Sequence, residues 1–408
     1  MNRLFVWVRL PDGTLRMAGE LATTNPLASS GRFESEFEYT SDWSQGSSGF
    51  PLDPRSLPLK TASRRFNAEL FNPPLSVFDD ALPDDWGRRL LSAALKIEGR
   101  KSTPAEMLLR MRGGGTGALL FTEIAAAPHP ATTVQSKSLP DLMSAAEQFE
   151  MGKLPPEDEF RTLLEGSSRA GGARPKALVH NAAGEWLAKF PSTTRDGPHD
   201  VIGLEAVCLE LARRAGLEVP ESQLEQIGRH RALLVRRFDV TPQNGRLHMV
   251  SLRTLCLERP GVYVHAYSDL AQVIRKHSAA PKSDVATLFR HMAFNAAVGN
   301  VDDHLKNFWM LANPEGYRLA PAFDLVPDIT GRAEHTLSFR SSFACPTGHE
   351  LMALADDWGI DDASEITSQV VKAVRNFAAT ARKLAVRDSD SLETISADIR
   401  KRLETIAA

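Results

Sequence analysis

The strongest constraint on this 408-residue chain lies between Phe294 and Asp324. Apolar spacing predicts a helix over 284–298, and Gly299-Asn300 is a helix stop. Five of the next seven residues are polar or charged: Asp302, Asp303, His304, Lys306 and Asn307. Residues 308–311 then read as a strand, Asn313-Pro314-Glu315-Gly316 as a turn, and 317–322 as a returning strand. Such a hairpin brings Asn307, before it, and Asp324, after it, to the same open end. A polar loop held between buried elements is a place where chemistry is commonly mounted.

The residue types narrow that chemistry. One carboxylate (Asp324) and one amide oxygen (Asn307) suit Mg2+, which takes hard oxygen ligands and fills its octahedron with water and phosphate. Asp302 lies five positions before Asn307, the Asp-x4-Asn spacing with which protein kinases place a proton-accepting Asp and a metal-binding Asn. The plainer alternatives are that Asp302 and Asp303 cap a helix and that His304 and Lys306 are ordinary loop side chains. Upstream, 166–176 is a glycine-containing loop whose N–H groups could face an anion, or a flexible linker. Strands over 177–180 and 185–190 follow, and Lys189 lies inside the second. A lysine in an apolar strand is costly unless its ammonium meets an anion. Glu205, at the start of a helix over 204–215 stopped by Gly216, is the natural partner, as in the strand-lysine and helix-glutamate pair of kinases.

The rest of the chain is mixed. Segments 4–10 and 14–21 flank a Pro-Asp-Gly turn and predict a hairpin, and Phe33, Phe37 and Tyr39 alternate with glutamates as in a half-buried strand. Residues 84–112 read as helical with seven basic residues, a solvated face or a surface for an acidic partner. Residues 125–140 read as linker, roughly 175–255 as strands and short turns, and 284 to the end as mainly helix, with periodic stretches over 361–386 and 391–406. A net charge of −3 argues against sequence-independent nucleic-acid binding by the whole chain. Three dispersed cysteines, Cys208, Cys256 and Cys345, suggest neither a disulfide framework nor a zinc site and fit a reducing compartment. The N-terminus lacks a signal-peptide pattern, and no apolar run is long enough to span a membrane. A soluble, cytoplasmic protein without membrane partners is the expectation.

With these residues in view, the chain resembles the HipA family of bacterial serine/threonine kinases, the toxin half of HipBA toxin–antitoxin systems. The resemblance runs through GEL (19–21), FDDALPD (78–84), GAL (117–119), GGARPKA (171–177), AKFPS (188–192) and LVRRFD (234–239). It is strongest in GNVDDHLKNF (299–308) followed by LAPAFDLVP (319–327). It implies an α+β, two-lobed kinase-like fold: an N-terminal subdomain over 1–125, a linker and connecting helix over 126–160, a strand-rich ATP-binding part over 161–255, and a catalytic, largely helical lobe over 256–408. It further implies ATP and Mg2+ as cofactors, Asp302 as catalytic base with His304 and Lys306 completing the loop, and Asn307 and Asp324 as metal ligands. Lys189, paired with Glu205, would bind phosphate, Gly171 and Gly172 would belong to the phosphate loop, and the backbone around Arg236 and Phe238 would recognise adenine. Family members phosphorylate a serine in the loop before GGARPKA, which makes Ser168 and Ser167 the candidates here. Asp324 is followed by Leu325-Val326 rather than the Phe-Gly of eukaryotic-type kinases. The implied partners are a HipB-like helix-turn-helix antitoxin, through which DNA would mainly be contacted, and a protein substrate, with an aminoacyl-tRNA synthetase as a candidate. Two alternatives stand beside the toxin kinase: a catalytically idle co-repressor bound to its antitoxin, and a small-molecule kinase.

Overall fold

Alternating apolar side chains at the N-terminus build the first sheet. β1 (Asn2–Arg9) turns Leu4, Val6 and Val8 inward. A turn with Gly13 at φ +87° returns the chain as β2 (Leu15–Thr23). Asp12 Oδ1 fixes that turn by accepting from the N–H and hydroxyl of Thr14, at 2.9 and 2.7 Å. β3 (Glu34–Tyr39) buries Ser35, Phe37 and Tyr39 and turns its glutamates the other way, as the alternation predicts. With β4 (Arg64–Asn67) and β5 (Leu119–Thr122) they form an antiparallel sheet in the order β4-β3-β2-β1-β5. Phe37 and Phe78 are packed with centroids 4.9 Å apart, and burying each contributes roughly 1.5–3 kcal/mol.

The structure is a computed structural model and describes residues 2–27, 29–59, 64–67, 75–99, 101–111, 115–128, 138–167, 173–181, 184–256, 265–387 and 389–408. The stretch read as one helical region over 84–112 is two helices, α1 (Asp85–Ile97) and α2 (Pro104–Arg110). Gly99, at φ +69°, ends the first, and Thr103 caps the second ahead of Pro104. Two of the basic residues there are already paired, Arg88 with Asp79 and Arg110 with Glu98, each at 3.0 Å. α3 (Leu139–Glu150), α4 (Glu157–Ser167), β6 (Lys176–Asn181) and β7 (Gly184–Lys189) follow.

The chain divides into two compact units. One comprises Met1–Ala188, Arg237–Tyr263 and Leu311–Pro314; the other comprises Lys189–Arg236, Val264–Met310 and Glu315–Ala408. In the second, α5 (Val201–Arg214) starts at Asp200, whose side chain accepts from Gly203 N–H, and β8 (Ser222–Ile227) pairs antiparallel with β9 (His230–Arg236). α6 (Tyr267–His277) leads to α7 (Pro281–Val298), whose Leu288, Phe289, Met292 and Phe294 are all buried. α7 ends at Gly299 in the left-handed region, φ +73°, where a Cβ would lie 2.9 Å from Arg402 Nε. β10 (Trp309–Asn313) and β11 (Gly316–Leu319) form the predicted hairpin, closed where Ala320 N–H donates to Trp309 C=O at 2.9 Å.

Four helices complete the unit: α8 (Gly348–Trp358), α9 (Ala363–Val374), α10 (Phe377–Lys383) and α11 (Ser389–Ala407). The segment read as one helical stretch over 361–386 is broken at Arg375-Asn376. There the Asn376 side-chain amide bonds to the Lys372 carbonyl and competes with the backbone ladder. Among the described residues no helix is long and apolar enough to cross a membrane.

Candidate active site

Lys189, the last residue of β7, is buried, and its ammonium is held by two carboxylates. Nζ lies 2.5 Å from Glu205 Oε1 and 2.8 Å from Asp324 Oδ1. Glu205 comes from the second turn of α5, whose cap at Asp200 fixes where that turn begins. Asp324 comes from the segment after the β10–β11 hairpin. Burial alone would push the lysine down, but the two carboxylates outweigh it and hold the ammonium above its ordinary value. Asp324 has φ +57°, a left-handed conformation that aspartate tolerates better than most residues and that recurs at functional sites. Three sequence-predicted residues from distant positions therefore share one ionic cluster.

The loop after Gly299 has its own order. Asp302 is exposed, and its carboxylate has no hydrogen-bond or ion-pair partner among the described residues. Asn307 closes a short 3-10 turn, Leu305–Asn307, and its Nδ2 donates to the Asp302 carbonyl at 2.7 Å. That bond uses the amide nitrogen and leaves the amide oxygen as the end that could serve a cation. The Lys306 carbonyl accepts from the Trp309 indole at 2.6 Å, which ties the loop to the first strand of the hairpin. His304 Nδ1 is buried and has no hydrogen-bond partner among the described residues. Among those residues no trio of His, Cys, Asp and Glu converges as a metal cage. One amide oxygen and one carboxylate are nonetheless what Mg2+ needs when phosphates and water supply the rest.

Other sequence candidates are placed less tellingly. Arg236, at the end of β9, is exposed, pairs with Glu221 at 3.0 Å, and gives its N–H to the Glu221 carbonyl. Arg237 N–H goes to the Glu185 carbonyl, so a base read at this segment would meet other backbone groups. Phe238 is half-buried. Gly171, Gly172 and Ser168 lie outside the described residues, and Ser167 ends α4 with its side chain outside them.

Asp303, for which the sequence suggests a helix cap, is fully buried, and its hydrogen-bond partners among the described residues are not helix-end N–H groups. Its carboxylate accepts from Tyr267 Oη at 2.6 Å, His335 Nδ1 at 2.9 Å, and the N–H groups of Thr336 and Leu337 at 2.8 and 3.3 Å. No local pattern links these positions, which lie more than thirty residues from it in either direction.

Comparison with known proteins gives two family matches: the HipA N-terminal domain over residues 13–122 and the HipA-like C-terminal domain over 168–378. Y4mE of Sinorhizobium fredii is 29% identical over 172 residues, 39% of this chain and 39% of its own length, so the chain spans well under two thirds of that relative. The serine/threonine-protein kinase toxin HipA of Shewanella oneidensis is 27% identical over 321 residues, 71% of this chain and 69% of that protein. The solved complex of the Shewanella oneidensis MR-1 toxin–antitoxin system HipA, HipB and operator DNA contains a chain of the same mixed α+β fold. It superposes with a TM-score of 0.71 at 21% identity, covering 99% of this chain and 97% of the other.

Proposed function

The chain belongs to the HipA family, its C-terminal-domain match alone covering more than half of the residues, and on that premise we propose that it is an ATP- and Mg2+-dependent serine/threonine protein kinase acting as a growth-arresting toxin. The observation that carries this reading is the Lys189 ammonium between Glu205 and Asp324. A buried lysine held by two acids adds little net stability of its own, which counts in favour of a ligand-binding role over an idle subunit.

In the reaction, Asp302 takes the proton of the acceptor hydroxyl, and its exposed carboxylate suits an acceptor arriving from solvent. Lys189, oriented by Glu205, binds phosphate oxygens. The amide oxygen of Asn307 and the carboxylate of Asp324 would hold Mg2+, which when bound neutralises charge on the transferred phosphoryl group. Lys306 and His304 complete the loop, with Lys306 supplying positive charge beside the transfer. Gly171 and Gly172 would contribute backbone N–H groups to the phosphates, and the segment at Arg236 and Phe238 would meet the adenine.

We assign residues 1–125 to an N-terminal subdomain, 126–160 to a connecting segment, 161–255 to the ATP-binding part and 256–408 to the catalytic lobe. Autophosphorylation falls on Ser168 or Ser167. The partner is a HipB-like antitoxin that carries the DNA contact, by analogy with the complex of the Shewanella relative, and the substrate is a protein of the translation machinery such as an aminoacyl-tRNA synthetase.

The test is intact-mass spectrometry of dephosphorylated protein with ATP and Mg2+, beside Asp302→Asn. One added phosphate in the wild type alone supports the kinase. No addition in either shifts the reading to a co-repressor or a small-molecule kinase, to be followed by antitoxin and operator binding.

A further inference from the structure

We infer that Asp303, through a buried relay from Tyr267 and His335 to Arg402, is the positioning residue that sets the geometry of the Asp302–Asn307 loop. The inference rests on the reading of that loop as the catalytic one. Among the described residues, the groups hydrogen-bonded to the Asp303 carboxylate are the Tyr267 hydroxyl, the Thr336 and Leu337 N–H groups, and His335 Nδ1, whose ring is oriented as a donor because its Nε2 faces the donor-only Arg402. A carboxyl met by four donors and no acceptor is a carboxylate. Burial and the neighbouring Asp303 charge push the Tyr267 phenol well up, so it remains a donor. His335 then offers its bare Nε2 to Arg402 Nη1 at 3.3 Å, and Arg402 is anchored by Asp398 at 2.6 Å. The buried negative charge is thus balanced through an imidazole by a guanidinium on the C-terminal helix, α11.

Five further contacts tie the relay to the loop and not merely to the core. Thr336 also bonds to the Val301 carbonyl through both its N–H and its hydroxyl, at 3.1 and 3.0 Å, so Asp303 and Val301 clamp the segment at Thr336 from both sides of Asp302. Tyr267 Oη accepts from Asn295 Nδ2, and Asn295 Oδ1 accepts from Asn300 Nδ2, which carries the relay back to the residue that opens the loop. Arg402 packs against Gly299, where any side chain would displace it. Among the described residues Asp302 itself has no side-chain restraint, so its position is inherited from its neighbours on either side. Misplacement of a reacting group by about 1 Å can cost on the order of 100-fold in rate.

The deciding comparison is His335→Leu against His335→Asn in the full chain. Leucine fills the space without a donor, whereas the asparagine Nδ2 reproduces Nδ1–H toward Asp303. We expect kcat per folded molecule to fall roughly 100-fold in the leucine variant, with the nucleotide Kd unchanged and most activity restored by asparagine. Wild-type kcat in folded His335→Leu overturns the inference. Hydrogen exchange of residues 300–308 gives a readout free of catalysis. Loop protection should fall about tenfold or more in the leucine variant and recover with asparagine, and unchanged protection overturns the inference. If the wild type itself transfers no phosphate, the kinase reading fails and the exchange data alone decide on the relay. Should His335→Leu not fold, Tyr267→Phe, which removes one donor to Asp303, is put through the same measurements with the same outcomes.

Discussion

Removing Lys189 tests the ionic cluster by a route independent of catalysis. In Lys189→Met, Glu205, 4% exposed, loses the ammonium at 2.5 Å, and Asp324 loses the same ammonium but keeps access to water. Taking a proton relieves the buried carboxyl of a charge that its lost cation no longer balances. For a carboxyl of ordinary pKa about 4.3, holding that proton at pH 7.5 costs about 4 kcal/mol, at 1.36 kcal/mol per pH unit. That agrees with the roughly 3–5 kcal/mol found on breaking buried ion pairs. At pH 5.5 the same cost is about 1.6 kcal/mol.

The sign follows from proton counting. The variant's native state binds one proton more than its unfolded state between these pH values, so its stability rises as pH falls. In the wild type, Lys189 is raised above its ordinary value, and its stabilisation is whole below about pH 10 and fades only above it. The gap between wild type and Lys189→Met, read from denaturant unfolding of the second unit, should therefore shrink from about 4 to about 2 kcal/mol between pH 7.5 and 5.5. The double variant Lys189→Met with Glu205→Gln should recover much of the loss, since no buried charge is stranded. A gap below about 1 kcal/mol at pH 7.5, or one that does not change with pH, would refute the assignment of Glu205 as the buried partner.

Other expectations are more local. Asp302→Asn should bind ATP as the wild type does and transfer no phosphate, and transfer at the wild-type rate would remove Asp302 from the role of base. Asp324→Ala should weaken nucleotide binding in the presence of Mg2+ far more than in its absence, read by calorimetry under both conditions. Ser168→Ala should abolish autophosphorylation, and tandem mass spectrometry of residues 161–176 would reveal a phosphate on Ser167 instead. His291 is pushed down to about 4 by burial and packs 4.8 Å from Phe308. Because its native pKa lies below the unfolded value, it should cost about 3 kcal/mol of stability as pH falls from about 6.5 to 4. His291→Phe should flatten that part of the acid limb.

The cluster at Lys189 was legible because each member breaks a local expectation. A lysine in an apolar strand, a glutamate entering a mostly apolar helix and an aspartate just past a hairpin all ask for partners, and the hairpin turn at 313–316 says where two of the pieces meet. Asp303 was not legible for the opposite reason. It stands beside Asp302 in a polar loop, where a cap is the simplest reading, and its partners Tyr267 and His335, with Arg402 reached through His335, come from three segments with no shared spacing. The splits at Gly99 and Asn376 were readable in principle, since glycine readily takes the left-handed conformation that ends a helix and an asparagine side chain competes for backbone carbonyls, but apolar periodicity on both sides masked them.

The two carboxylates on Lys189 also bear on how the proposed nucleotide and metal would enter. A cation bound at Asp324 Oδ1 would compete with the ammonium for that oxygen and leave Lys189 leaning on Glu205. Burial makes the loss of one carboxylate expensive unless a phosphate oxygen replaces it. Conversely, a phosphate arriving alone would be drawn to Lys189 but repelled by Asp324, still ionised beside it. Each ligand therefore removes the obstacle to the other, and by linkage their binding must be mutually favourable. The left-handed turn at Asp324 serves the same exchange: it holds the carboxylate at the partly exposed rim of the cluster, with 35% of the side chain accessible, while Lys189 and Glu205 remain inside. A lysine held by Glu205 alone would bind phosphate without regard to metal. On the proposed reading, the second, exchangeable carboxylate would make the site sense both.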